Sequence, residues 1–368
     1  MINEQESNYR WFIIILSGFT AVFSITMPSI CMPVLFKEIS IDMDLSLVQL
    51  GTIWGMGGLA GIIAGATRGF SVGFFTLAAT MFFFGFFTRT MSLNLHKAAG
   101  VWFSGRQLVI ANGIVSTGFG FGFMSGAMIS DTLLSPMLGG WKNVLFLYGS
   151  ISMVFGLIWG LTRREPAHNK LSETKTPASF HRAVTDVMRN RSVWRLALTQ
   201  LCYTGVTIGF IGYLPLYLRG IGWTGVHAAG ALTALTGAGM VMAIPLSILA
   251  GRLNSKKPIM ISTMLISLIS LCLLSFVSGP LIWPLIVLVG LFRDGYYAII
   301  ATLVVETDGI GAAYAGTATG LVWTLGAFGS FIAPPLGNSF ASIDPGLPFM
   351  FWGAILIIPL CLFLLMKE

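Results

Sequence analysis

From Trp11 to Met366 the chain is a succession of apolar runs, each about as long as a bilayer is thick, and this limits its folding more than any other feature. A hydrocarbon core of ~30 Å takes about 20 helical residues to cross. Eleven runs meet that length, at approximately 11–35, 47–66, 71–92, 108–130, 143–162, 193–218, 226–250, 258–279, 281–305, 311–335 and 346–366. Backbone N–H and C=O groups find no water in lipid, so spanning segments are helices or strands of a closed barrel. The runs are apolar at nearly every position and lack the alternation of barrel strands. The expected fold class is therefore all-α and polytopic. Only 10% of the residues are charged, against about 25% in soluble domains, so the length of 368 residues does not signal several soluble domains.

Polar segments divide the chain. Arg163 to Arg195 holds eight of the 21 Lys and Arg residues. Basic enrichment marks cytoplasmic loops, so this stretch is expected inside. It separates an amino-terminal bundle (1–162, about five spans) from a carboxy-terminal one (193–368, six spans), with 163–192 as the central loop. Within the loop, 180–192 has the pattern of a short amphipathic surface helix. Arg252, Lys256 and Lys257 mark a second inner loop, and Lys97 and Arg106 a third. Glu38, Asp42 and Asp44 against Lys37 suit the outer face. Five spans before the basic loop and six after it leave one crossing short, at Gly65–Arg68. The polar stretch Met1–Arg10 and the length of the first run argue against a cleavable signal.

Several functions are excluded. The +7 charge is spread over loops between spans, so it is not a nucleic-acid footprint. Cys31, Cys202, Cys272 and Cys361 all fall inside apolar runs and read as packing residues, not as metal ligands or disulfides. There is no His-Glu-x-x-His, no phosphate-cradling Gly-x4-Gly-Lys and no nucleophile elbow. No catalytic residue, metal or cofactor is expected, and the chain is not read as an enzyme.

Two bundles around a basic loop resemble the major facilitator superfamily, and short motifs add to the resemblance. Gly251-Arg252-Leu253-Asn254-Ser255-Lys256-Lys257-Pro258 looks like the second-half copy of that family's basic signature loop, with Gly251 where the family usually has Asp. Trp102-Phe103-Ser104-Gly105-Arg106, followed by Ala111-Asn112-Gly113, resembles the segment linking its fourth and fifth helices. Ala333-Pro334-Pro335-Leu336-Gly337 resembles the end of its eleventh. The overall character is similar to the cyanate/nitrate and oxalate-type branch, which carries small anions. In the first half, Gly61–Gly65 passes directly to Arg68-Gly69-Phe70, which looks like the start of the fourth helix. The resemblance then implies that the third helix and the first-half signature loop are absent, leaving about eleven helices.

Arg293 and Asp294 are the sharpest signal. They lie near the middle of the 281–305 run, where a charge costs several kcal/mol unless it meets a cavity or a partner. Neighbours on a helix point about 100° apart, so the two are not expected to pair with each other. Tyr297 is placed to support either. The expected role is anion binding by Arg293, with Asp294 orienting the solute or taking up a proton; a structural tie to a neighbouring helix is the competing reading. Gln200, Tyr203, Thr204 and Thr207 form a polar stripe on one helix face, as cavity lining or as helix–helix hydrogen bonds. Thr317 and Thr324, with Trp323 beside them, and Ser24, Thr26 and Pro28 in the first span, are further candidates for lining. Pro215 is expected to bend its helix.

Gly57, Gly61 and Gly65, and likewise Gly118, Gly122 and Gly126, are spaced by four and line one face each. Such faces serve close packing in lipid, and in a two-bundle protein also gating. Asn94 and Lys97 are read as an inner gate or as loop anchors, Arg252 as a gate contact, Arg89 as an interface cation and Glu306 as a helix-end or gate residue.

The expected function is secondary active transport of a small, anionic solute by alternating access in the cell membrane, coupled to a proton or another ion, by a monomer in the lipid bilayer. A non-transporting relative that kept the helices is the alternative, motivated by the missing crossing. A lipid-modifying membrane enzyme is disfavoured because no polar cluster forms at one membrane face.

Overall fold

The computed structural model describes residues 4–56, 68–103, 105–162, 180–253, 255–307 and 310–365. Among these the regular structure is entirely helical, and ten helices are long and apolar enough to cross a membrane. Ten of the eleven expected runs correspond to them. The remaining run, 47–66, is described only as α3 (Leu47–Met56). The suspected missing crossing and the glycines at 57, 61 and 65 lie outside the described residues.

The described residues gather into two compact units. One comprises Met1–Leu45, Met56–Glu173 and Trp223–Thr233; the other comprises Ser46–Gly55, Thr174–Gly222 and Ala234–Glu368. The segment Ser46–Gly55 thus belongs with the carboxy-terminal helices, and Trp223–Thr233 with the amino-terminal ones.

In the first unit, α1 (Glu4–Thr20) continues through a π-helical segment, Ala21–Thr26, into α2 (Met27–Met43). Pro28 and Pro33 lack N–H donors, and each frees a carbonyl on the preceding turn. The Thr26 hydroxyl donates to the Ala21 carbonyl at 2.8 Å, five residues back, and so supports the widened turn. After the 3₁₀ turn Arg68–Phe70 come α4 (Phe74–Trp102), α5 (Gly105–Ile129), a second π segment (Ser130–Leu134), the short α6 (Ser135–Leu138) and α7 (Trp141–Leu161). Gly139 and Gly140, at φ 78° and 123°, turn the chain into α7 in a region that glycine enters freely.

Gly118, Gly122 and Gly126 of α5 meet the first helix of their own unit. A Cβ at Gly118 would meet Gly18, one at Gly122 the Thr26 hydroxyl and Val22, and one at Gly126 Ile30 and Met27. Dispersion contact between backbones replaces the absent hydrophobic drive. Polar groups cross-link the same unit. Trp159 Nε1 donates to Thr20 Oγ1 at 3.0 Å, the Ser130 and Tyr148 hydroxyls meet at 2.8 Å, and Ser135 donates to Glu38. Arg68 is fully buried. Its Nη1 donates to the Pro28 carbonyl at 2.9 Å, and its guanidinium lies 3.7 Å from the Phe84 ring centre.

In the second unit, α8 (Phe180–Arg189) is a short helix with one strongly polar face, as expected for the central loop. It leads through Asn190 into α9 (Arg191–Gly220). Asn190 Oδ1 accepts from the N–H groups of Ser192 and Val193 and caps that helix. The helix then runs on through Pro215 as one element. It is followed by α10 (Gly225–Arg252), α11 (Lys257–Leu274), α12 (Ile282–Glu306), α13 (Gly311–Ser339), α14 (Leu347–Ile355) and α15 (Ile357–Leu365). Helices α9 and α13 touch through their backbones. A Cβ at Gly205 would stand 2.7 Å from the Gly329 carbonyl oxygen, and one at Gly329 would strike the Leu201 carbonyl. Trp352 fits against Gly209 and Gly337 and donates to the Ala333 carbonyl at 3.0 Å. Helix α3 is tied to this unit by Trp54, which donates to the Ile208 carbonyl at 2.8 Å, and by Asn338, which donates to the Leu47 carbonyl at 2.8 Å.

Candidate functional site

The site forms where α9, α12 and α13 of the second unit meet, with α10 against α12. Gly290 lets α12 approach the Leu235 carbonyl of α10. One turn along, Gly239 of α10 leaves room for the Asp294 carboxylate; a Cβ there would be 2.6 Å from Oδ2.

Arg293 and Asp294 pair with each other, contrary to the expectation from helix geometry. Arg293 Nε donates to Asp294 Oδ1 at 2.7 Å and Nη2 to Oδ2 at 3.1 Å. The 100° offset applies to Cα–Cβ directions. An arginine side chain reaches several bonds beyond Cβ, and here it folds back to the next residue's carboxylate. The fork is bidentate, the strong form of this interaction. Arg293 is buried at 7% exposure, whereas the Asp294 side chain keeps 30%. The charge expected near mid-span is thus neutralised locally, which removes much of the cost of burying it.

A cluster of aromatic rings forms on the same three helices. Tyr297, one turn beyond Arg293, stacks on Trp323 of α13 with ring centres 5.8 Å apart and planes 19° apart. Tyr297 lies on the side of α12 that faces Thr204 and Thr207 of α9. Tyr203 stacks on Tyr296 at 3.6 Å and meets Tyr297 edge-on at 6.0 Å. The Tyr296 hydroxyl donates to Gln200 Oε1 at 3.1 Å. Tyr296 was not anticipated, although it stands three residues after Arg293 on the same helix face. Gln200 is fully buried, and its Nε2 has no hydrogen-bond partner among the described residues. Gly326 of α13 packs on Gln200 and Thr204.

The structure therefore brings together Arg293, Asp294, Tyr297, Gln200, Tyr203, Thr204, Thr207 and Trp323. Thr207 also donates to the Tyr203 carbonyl at 2.8 Å, a bond within its own helix. Thr317 is half-buried and Thr324 exposed, and neither joins these contacts. The other expected residues lie elsewhere. Gly118, Gly122 and Gly126 pack within the first unit. Asn94 is exposed and donates to the Thr90 carbonyl of its own helix, which carries Lys97 as well. Arg252 is exposed at the end of α10. Glu306 closes an ion pair with Lys256 at 2.6 Å, tying the end of α12 to the residue before α11.

Ten membrane-length apolar helices among the described residues, with a charged, ring-lined site in one helical unit, define a multi-pass membrane protein. The chain belongs to the Major Facilitator Superfamily, whose family profile matches residues 64–334. No curated protein sequence matches it. Among solved structures it is similar to a bacterial homolog of the human lysosomal transporter Spinster, with a TM-score of 0.76 and 14% identity over 97% of this chain and 96% of that one. It is also similar to the nucleoside transporter NupG, with a TM-score of 0.67 and 13% identity over 98% and 96%. A third is the human organic anion transporter MFSD10, with a TM-score of 0.56 and 16% identity over 95% and 83%. At such identities the likeness is one of fold.

Proposed function

We propose that this chain is a secondary active transporter of the cell membrane that moves a small anionic solute by alternating access, driven by a proton or ion gradient. The family supplies the mode of transport; the anion and the coupling are read from the site. The observation that carries the reading is the Arg293–Asp294 fork near the middle of a spanning helix. A guanidinium carries five N–H donors in a rigid fork suited to carboxylates and other oxyanions. Asp294 occupies two of them and is itself partly open. An incoming carboxylate or similar anion exchanges with Asp294 on the fork, and Asp294, released from its cation, takes up a proton. Charge at the buried site stays balanced through the exchange, which avoids leaving an uncompensated ion in a low-dielectric setting. Tyr297, Tyr203, Thr204, Thr207 and Gln200 line the polar side, and Trp323 covers one face. In this reading the chain falls with the small-anion carriers of the family and works as a monomer.

The test is a screen of small anions by ligand-dependent thermal stability and uptake, with wild type beside Arg293→Ala. The wild type is expected to gain stability with at least one small anion and to take it up, and Arg293→Ala to do neither. Equal uptake by the variant overturns the site.

A further inference from the structure

We infer that the solute is a monocarboxylate attached to a flat, unsaturated ring, and this rests on the reading of Arg293 as the anion anchor. Three observations point to it. First, the fork already holds a carboxylate, that of Asp294, so an incoming carboxylate can take the same two donors. Second, the neighbouring rings form two stacked pairs, Tyr297 on Trp323 and Tyr203 on Tyr296, set edge-on to each other. Tyr297 is four residues beyond Arg293, which places it about 6 Å along the helix axis. Its partner Trp323 lies almost parallel to it. Tyr296 and Tyr203, at the inner end of the cluster, are almost wholly buried, while Trp323, at the outer end, keeps 36% of its surface uncovered. A flat ring carried by the anchored carboxylate is placed to meet the uncovered face of Trp323 at the open end of this cluster. Third, Gln200 Nε2 is a fully buried donor without a partner beside these rings. A buried donor left unsatisfied is costly, and a ring heteroatom or carboxylate oxygen of the solute satisfies it. Flat rings in offset stacks gain energy beyond the area they bury, and a puckered ring of equal size does not.

The experiment measures equilibrium binding of radiolabelled benzoate to the purified full chain in lipid nanodiscs, in competition with cyclohexanecarboxylate and benzamide. Benzoate is expected to bind about five- to tenfold more tightly than cyclohexanecarboxylate, and benzamide not to compete. Trp323→Leu is expected to abolish the difference between the two carboxylates; Trp323→Phe is expected to keep the preference. Equal binding of the two carboxylates to wild type, lost in Arg293→Ala, overturns the ring inference and leaves the anchor standing. A benzoate preference that survives Trp323→Leu overturns the ring inference in the same way. Carboxylate binding unchanged in Arg293→Ala, or absent from wild type, overturns the anchor and this inference with it.

Discussion

The carboxylate of Asp294 sits on the guanidinium of its sequence neighbour Arg293, with Nε–Oδ1 at 2.7 Å and Nη2–Oδ2 at 3.1 Å, and Gly239 of the adjoining helix provides the space. The pair makes a buried charge compatible with a spanning helix, and in the proposed mechanism Asp294 yields the fork to the incoming anion.

The first consequence concerns stability. Removing one partner leaves an unbalanced buried ion. Asp294→Leu and Arg293→Leu are each expected to destabilise the protein by about 3 kcal/mol, and the double variant by much less than the sum. Denaturation in detergent of the four proteins of the cycle checks this; additive losses would show that the pair does not act as a unit.

Close packing of α9 on α13 makes a second prediction. Gly329→Ala places a methyl against the Leu201 backbone, which cannot rotate away, so the helices must part. A loss of about 1–3 kcal/mol is expected. Gly316→Ala in the same helix has nothing within 4 Å of its new Cβ, and its effect is expected within about 0.5 kcal/mol. Thermal unfolding of the two variants side by side decides the point.

In the first unit, Gly122→Ala meets the Thr26 hydroxyl and the Val22 backbone. Thr26→Ala removes one of the two obstacles. The double variant is therefore expected to be more stable than Gly122→Ala alone, even though Thr26→Ala by itself removes the hydroxyl that supports the π turn. Melting temperatures of the three variants measure this; no rescue would mean that the Val22 contact dominates.

The Lys256–Glu306 pair is of a different kind. Glu306 is about half exposed, so the pair is screened by water and salt. Glu306→Gln is expected to cost less than about 1 kcal/mol at low salt and to approach wild type at high salt. A loss that persists in salt would give the contact a larger structural role.

The spanning helices were readable because the bilayer itself fixes their length and hydropathy; helices such as Arg191–Gly220 and Ile282–Glu306 fall close to their expected runs. Arg293 was readable for a related reason, since a charge inside such a run needs an explanation. The pairing with Asp294 was not, because spacing along a helix locates Cβ and says nothing of where a long side chain ends. Tyr296, Gly239 and Gly290 escaped because their meaning depends on which helices approach one another. Arg68 was placed at the start of a helix, yet it is buried against Pro28, 40 positions away, and Phe84; such distant contacts leave no periodic trace. The same holds for α3, whose place in the second unit rests on Trp54 and Gly51 meeting α9 and α13.

The central claim is that Arg293 holds an anion during gradient-driven transport. It is tested most directly by the initial rate of benzoate uptake into proteoliposomes under an imposed proton gradient, for wild type and Arg293→Ala at matched incorporation. Wild type is expected to accumulate benzoate, to stop doing so when a protonophore collapses the gradient, and to exceed the variant by at least about tenfold. Accumulation by Arg293→Ala at the wild-type rate would contradict the account.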